Sequence, residues 1–238
     1  MERIIIFFTI LFFCGVVFAQ NYTVYNKENY TAPKQKDEKT LFILDYSSSM
    51  DEYLEGETKY ETMLKTMQRI LPKIPKDKET GLRIYGHKGG FTAMNACRAS
   101  SLVVPVMPAS SKLIEQELYK YKPRGMTPIT YSLKQAVTHD LSGLEKEKRI
   151  ILLTDGGENC DESPCEWAMN LISKRKDIKI DVIAFNVDER DDLDQLRCTS
   201  SVTSGRFYNP QTSAELIKSL ENSLNITKDV EGVIVPKH

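Results

Sequence analysis

The sequence has no excess of charge of either sign: 32 Lys and Arg stand against 33 Asp and Glu, a formal −1. A nucleic-acid partner therefore has no electrostatic support, because phosphate contacts need a basic face. Histidine is scarce, three in 238 residues. None lies near a cysteine, and the cysteines form no paired C-x-x-C hooks, a spacing that disfavours a Cys/His zinc centre. Gly86, Gly89 and Gly90 surround a loop but do not form a phosphate-cradling pattern after a strand. No internal repeat or low-complexity block appears. Long apolar runs are absent with one exception, Ile4 to Phe18.

That run follows Met1-Glu2-Arg3 and ends in Val17-Phe18-Ala19, an A-x-A-like pattern. It reads as a signal peptide over residues 1–19, with the mature chain secreted or periplasmic. An uncleaved membrane anchor is the alternative, against which the run is short for a bilayer span. Residues 20–38 are a polar lead-in with no apolar period, residues 39–224 the folded domain, and residues 225–238 a tail. Cys14 falls inside the signal, which leaves Cys97, Cys160, Cys165 and Cys198. An even number in an exported chain suggests two disulfides, with free buried thiols as the other reading.

Between the tails, strand and helix patterns alternate. Leu41–Leu44, Arg149–Leu153 and Ile180–Phe185 are short apolar runs of the kind buried on both faces of a parallel sheet. Gly81–Gly86 and Ser101–Pro105 read as an antiparallel pair, and Arg206–Tyr208 as a last short strand. Helical spacing covers Tyr60–Ile70, Ser111–Tyr121, Pro128–Val137, Pro164–Ser173, Leu193–Ser200 and Ser213–Leu224. Pro128 is expected in a first helical turn, where proline is well placed. His87 and His139 are each expected to be a loop or helix-surface residue, Arg124 to lie in solvent, and Trp167 to pack against the sheet. The fold class is α/β, and such sheets bind ligands beyond the carboxyl ends of their strands, where strand order reverses.

Three segments fall at such places. Asp45-Tyr46-Ser47-Ser48-Ser49 follows the first strand, Gly125-Met126-Thr127-Pro128 leads into a helix, and Thr154-Asp155-Gly156 follows the Arg149–Leu153 strand. Taken singly, each could be a turn or a helix cap. Together they resemble the metal-ion-dependent adhesion site (MIDAS) of von Willebrand factor A (VWA) and integrin I domains, over roughly Lys39 to Leu224. Arg83–His87, Lys122–Pro128 and Leu196–Cys198 are most similar to bacterial exported VWA proteins. Ser48 departs from the commoner glycine, at a position whose side chain is not a ligand.

The resemblance implies a Rossmann-like three-layer sandwich: a mostly parallel sheet with one antiparallel edge strand, and helices on both faces. It implies a divalent ion, magnesium first with manganese or calcium as alternatives. The hydroxyls of Ser47, Ser49 and Thr127 would bind it, and Asp45 and Asp155 would hold waters or orient the hydroxyls. Neutral ligands leave the ion electron-poor, so a protein partner's Asp or Glu would fill its open position. The implied function is binding, in adhesion or envelope-complex assembly, and not catalysis. A metal-dependent hydrolase built on the same aspartates is the rival. A D-x-D nucleophile loop would want a carboxylate where Ser47 stands. The family's strand order also implies that neighbouring cysteines pair, Cys97 with Cys160 and Cys165 with Cys198. A local Cys160–Cys165 bridge stays open as the alternative.

Overall fold

The structure, a computed structural model, describes residues 38–90 and 92–226. The signal peptide, nearly all of the polar lead-in and most of the tail lie outside the described residues. Among the described residues no helix is long and apolar enough to cross a membrane.

Six strands form one sheet. In chain order they are β1 (Glu38–Asp45), β4 (Glu79–Tyr85), β5 (Ser100–Pro108), β6 (Glu147–Thr154), β7 (Ile178–Ala184) and β8 (Phe207–Tyr208). Their spatial order is β5-β4-β1-β6-β7-β8. All neighbours are parallel except β4 and β5, whose antiparallel pairing is interrupted by irregular register near Leu82. A two-stranded hairpin, β2 (Tyr53–Leu54) and β3 (Glu57–Thr58), stands apart from the sheet. The helices are α1 (Lys59–Ile70), α2 (Ala93–Ala96), α3 (Ser111–Leu118), α4 (Ile129–Gln135), α5 (Pro164–Ile172), α6 (Arg190–Val202) and α7 (Ser213–Ser223). This is the three-layer sandwich that the family resemblance implied.

Alternation along the strands divides the core in two, because successive side chains point to opposite faces. Phe42, Leu44, Ile151 and Leu153 join Met63, Met67 and Ile70 of α1 and Leu216 and Leu220 of α7. Leu41, Ile43, Ile150 and Leu152 join Ile129 and Leu133 of α4, Leu171 of α5 and Leu196 of α6. Each side chain of this size, fully buried, stabilises the fold by about 1.5–3 kcal/mol. Trp167 is partly buried against this second cluster. The one buried carboxylate inside β7, Asp181, is held by Arg149 at 2.9 Å and Arg206 at 2.8 Å, as a buried charge requires.

Three helix starts differ from the sequence reading: α1 begins at Lys59, one residue before Tyr60, and the starts of α4 and α6 are also displaced. Pro128 caps α4 from outside, at φ −80° and ψ 68°. Its carbonyl accepts the Ser132 N–H at 3.0 Å, the first bond of the helix, which is the role of a cap residue. Helix α6 begins at Arg190 and not at Leu193, since Asp191 and Asp192 in its first turn suit the positive end of the helix.

Candidate metal centre

β1 and β6 lie side by side at the centre of the sheet, with Leu44 opposite Leu153. From β1 the order runs out through β4 on one side and through β6 on the other, so their carboxyl ends flank the crevice where strand order reverses. Asp45 ends β1, and Asp155 follows β6 directly. Asp45 is fully buried. Its Oδ1 accepts the Ser47 N–H at 2.6 Å, and its Oδ2 accepts the hydroxyls of Tyr85 and Thr154, each at 2.9 Å. Three neighbouring strands thus fix one carboxylate. Ser47 Oγ and Ser49 Oγ are 3.1 Å apart, and Ser49 Oγ donates to Asp155 Oδ1 at 2.8 Å. Asp155 Oδ2 accepts from the Lys59 ammonium at 3.1 Å.

Two glycines let the loops meet. A Cβ on Gly86 (φ +71°) would lie 2.5 Å from Ser47 N, and one on Gly125 would lie 2.6 Å from Lys88 O. Without side chains there, Ser48 N–H donates to Gly125 O at 3.0 Å, and Arg124 N–H to Tyr46 O and Gly86 O at 3.1 Å each. The bridge between Ser47 and Gly125 sets Thr127, which is buried, two residues from the Ser47 loop. The loop after Asp155 holds the same segment from the other side. Asn159 Oδ1 accepts the Thr127 N–H at 2.7 Å, and Glu158 Oε2 accepts the Thr130 N–H at 2.7 Å. The Cys97–Cys160 disulfide anchors that loop, and Cys165–Cys198 joins α5 to α6.

Two buried carboxylates share this crevice. Burial, with the charge of Asp155 adding to it, pushes the Asp45 carboxyl up to about 7. Burial also raises Asp155, against the pull of Ser49 and Lys59. Such a pair calls for positive charge between its members.

Comparison with known proteins identifies the fold. The family model of the von Willebrand factor type A domain matches residues 41–223. The chain belongs to this family. YwmD of Bacillus subtilis is 27% identical over 194 residues, covering 79% of this chain and 84% of YwmD. YwmC of the same organism is 24% identical over 226 residues, covering 93% and 98%. Among solved structures, proximal thread matrix protein 1 of the mussel byssus, with a zinc-occupied MIDAS motif, matches at TM-score 0.61 and 20% identity. That match covers 80% of this chain and 46% of the mussel chain, so the protein spans under half of that relative. The von Willebrand domain of the type V pilus tip protein Mfa5 of Porphyromonas gingivalis matches at TM-score 0.60 and 14% identity, covering 80% and 95%.

The donors of this VWA domain fit a small divalent ion. Adjacent ligands of an octahedron with metal–oxygen bonds of about 2.1 Å lie about 3 Å apart. The Ser47–Ser49 spacing, 3.1 Å, matches such an edge, and the 2.8 Å hydrogen bond from Ser49 to Asp155 orients one of the two hydroxyls. Among the described residues no three His, Cys, Asp or Glu side chains gather into a metal cage. A centre in this crevice would therefore be hydroxyl-rich, a set suited to hard cations.

Sequence reasoning did not reach Lys59, Glu158 or Asn159 as parts of the VWA site. Glu158 and Asn159 follow the T-D-G motif closely, and that proximity was the available signal. Lys59 carries no periodic signal, since its link to the site is to Asp155, 96 residues away, and its nearer partner, Glu52, is reached only through a turn. Arg124 and His139 are exposed as expected. His87 lies in a loop, one of the two placements expected, but it is only 6% exposed, with its ring edge-on to Tyr121 and Nε2 3.1 Å from Ser101 Oγ. Its loop is drawn inward by the contacts of Gly86. Burial, with Lys88 nearby, lowers the imidazole from its usual 6.5 to about 4. Between those values the unfolded chain binds the extra proton, so stability falls as pH drops through that window. The loss should be on the order of 2–3 kcal/mol. Urea unfolding of wild type and His87→Gln at pH 4 to 7 checks this; equal slopes in both would refute it.

Proposed function

We propose that this VWA domain is an exported binding module that engages a protein partner through a divalent ion. Ser47, Ser49 and Thr127 would hold the ion by their hydroxyls, with Asp45 and Asp155 orienting them or their waters. The observation that carries the reading is the meeting of Asp45, Ser47, Ser49 and Asp155 at the switch point of the sheet. When bound, the ion supplies an electron-poor open position that a carboxylate can fill. The protein's own work is positional. Asp45 fixes the Ser47 loop through its N–H, and Thr154 and Tyr85 fix Asp45. The partner supplies an exposed Asp or Glu. Magnesium suits the hard oxygen set, with manganese or calcium as substitutes.

Export is supported by two disulfides, which persist in oxidising compartments, and by the apolar segment at Ile4–Phe18. The zinc-occupied motif of the mussel protein and the pilus-tip setting of Mfa5 agree with a role in adhesion or envelope-complex assembly. Binding is preferred to hydrolysis because a serine, Ser47, stands where a D-x-D nucleophile loop needs its second carboxylate. The test is co-purification from the native envelope. A partner should be retained in magnesium, released by EDTA, and lost when its acidic residue is changed to the amide. Retention undiminished by EDTA would overturn the reading.

A further inference from the structure

Lysine is an unfavourable residue for the first position of a helix, where exposed N–H groups prefer negative charge. Helix α1 otherwise follows that preference, with a Thr58–Glu61 capping box. Lys59 nevertheless occupies its first position, and its side chain is only 7% exposed. The ammonium donates to Glu52 Oε2 at 2.8 Å and to Asp155 Oδ2 at 3.1 Å. The β2–β3 hairpin delivers it there. The chain leaves at Glu52, turns back, and Lys59 N–H then donates to Glu52 O at 2.9 Å. The other oxygen of Asp155 accepts from Ser49 Oγ at 2.8 Å. A single carboxylate therefore links a hydroxyl of the metal loop to a buried monovalent cation.

We propose that Lys59 is a resident counter-charge that sets the affinity of this centre for its divalent ion. The inference rests on the metal reading above. By pairing with Asp155, the ammonium keeps the crevice assembled before an ion arrives. It also leaves one buried carboxylate, Asp45, uncompensated in place of two. An incoming divalent ion then meets less negative charge and a like charge close by, so it binds more weakly than the oxygen set alone would allow. The coupling is reciprocal: whatever the ammonium takes from metal affinity, the metal takes from the ammonium's hold on Asp155. A centre restrained in this way exchanges its ion readily, which suits a contact that must be reversible.

The test uses the full chain, with magnesium and manganese alone as probes. Metal affinity is read by titration calorimetry, and thermal unfolding is followed in EDTA and in saturating metal. Lys59→Met keeps the apolar stem and removes the charge. Its dissociation constant should fall about tenfold. Its unfolding temperature should drop in EDTA but little in saturating metal, so the metal-induced shift widens. Lys59→Arg should keep wild-type affinity. Glu52→Gln changes an exposed side chain, so the fold survives. It gives the ammonium wholly to Asp155, and metal binding should weaken about threefold. If Lys59→Met does not fold, these two variants still decide the matter. Wild-type or weaker affinity in Lys59→Met would overturn the proposal, as would an equal loss of unfolding temperature with and without metal. A wild type that shows neither heat nor thermal shift with either ion would instead overturn the metal reading, and this inference with it.

Discussion

Asp45→Asn is expected to abolish nearly all of the thermal stabilisation that magnesium gives the wild type. An ion present at a hundred times its dissociation constant stabilises the folded state by about 2.7 kcal/mol. For a domain of this size that raises the unfolding temperature by about 5–10 °C. Asp45 makes the centre possible through both of its oxygens. One accepts the Ser47 N–H at 2.6 Å, and the other accepts the Tyr85 and Thr154 hydroxyls at 2.9 Å. An amide can keep its carbonyl towards only one of these sides. If it faces the two hydroxyls, its NH2 meets the Ser47 N–H, donor against donor, and the loop carrying Ser47 and Ser49 loses its anchor. The charge that attracts the ion is gone in either orientation. The metal-free fold should survive, because the amide fills the same space and no longer repels Asp155. Asp155→Asn should behave alike for a different reason: it loosens the hold on Ser49 and releases Lys59. Circular dichroism melts of all three proteins, in EDTA and in magnesium, supply the measurement. An equal magnesium shift in wild type and both variants would remove the ion from this site.

The parts of this site that were legible in the sequence are those that lie next to a strong pattern. The runs Leu41–Leu44 and Arg149–Leu153 announce central strands because both of their faces are buried, and Asp45 and Asp155 follow at their ends. The helices around Met63, Leu133 and Leu216 are legible through one-sided apolar spacing. The hairpin at Tyr53–Thr58 was not, since two residues per strand give no period to detect. Lys59 was hidden for the same reason: its meaning depends on a turn that brings it back to Glu52 and on a strand far along the chain. The burial of His87 was not legible, because a polar residue in a glycine-bordered loop looks solvated. Only the close approach of Gly86 to Ser47 carries that loop inward. Pro128 was misplaced by one position because a proline at the cap and one in the first turn leave the same trace in sequence.

Removal of the Cys97–Cys160 disulfide is expected to cost about 4 kcal/mol of stability and to weaken metal binding as well. The bridge closes a loop of 63 residues, with α-carbons 5.5 Å apart. Cross-linking residues so far apart removes much of the freedom of the unfolded chain, which is the main source of a disulfide's stabilisation in the chain-entropy description. Cys165–Cys198 spans 33 residues, and because the dependence on length is logarithmic, its loss should cost only about 0.6 kcal/mol less. Stability alone therefore does not distinguish the two bridges, whereas metal affinity should. Cys160 adjoins Asn159, whose side chain accepts the Thr127 N–H, and Glu158, which accepts the N–H groups of Thr130 and Cys160. Freed from Cys97, that loop can drift, and Thr127 drifts with it. Cys165 and Cys198 lie on α5 and α6 and hold no backbone of the Thr127 segment. The experiment compares the serine pairs Cys97→Ser/Cys160→Ser and Cys165→Ser/Cys198→Ser by urea unfolding and by magnesium titration. Both should unfold at lower urea, and only the first should bind magnesium more weakly, by about tenfold as for a positional change near an ion site. Equal affinity in the two pairs would mean that Thr127 is held by its own segment and that the loop after Asp155 merely rests against it.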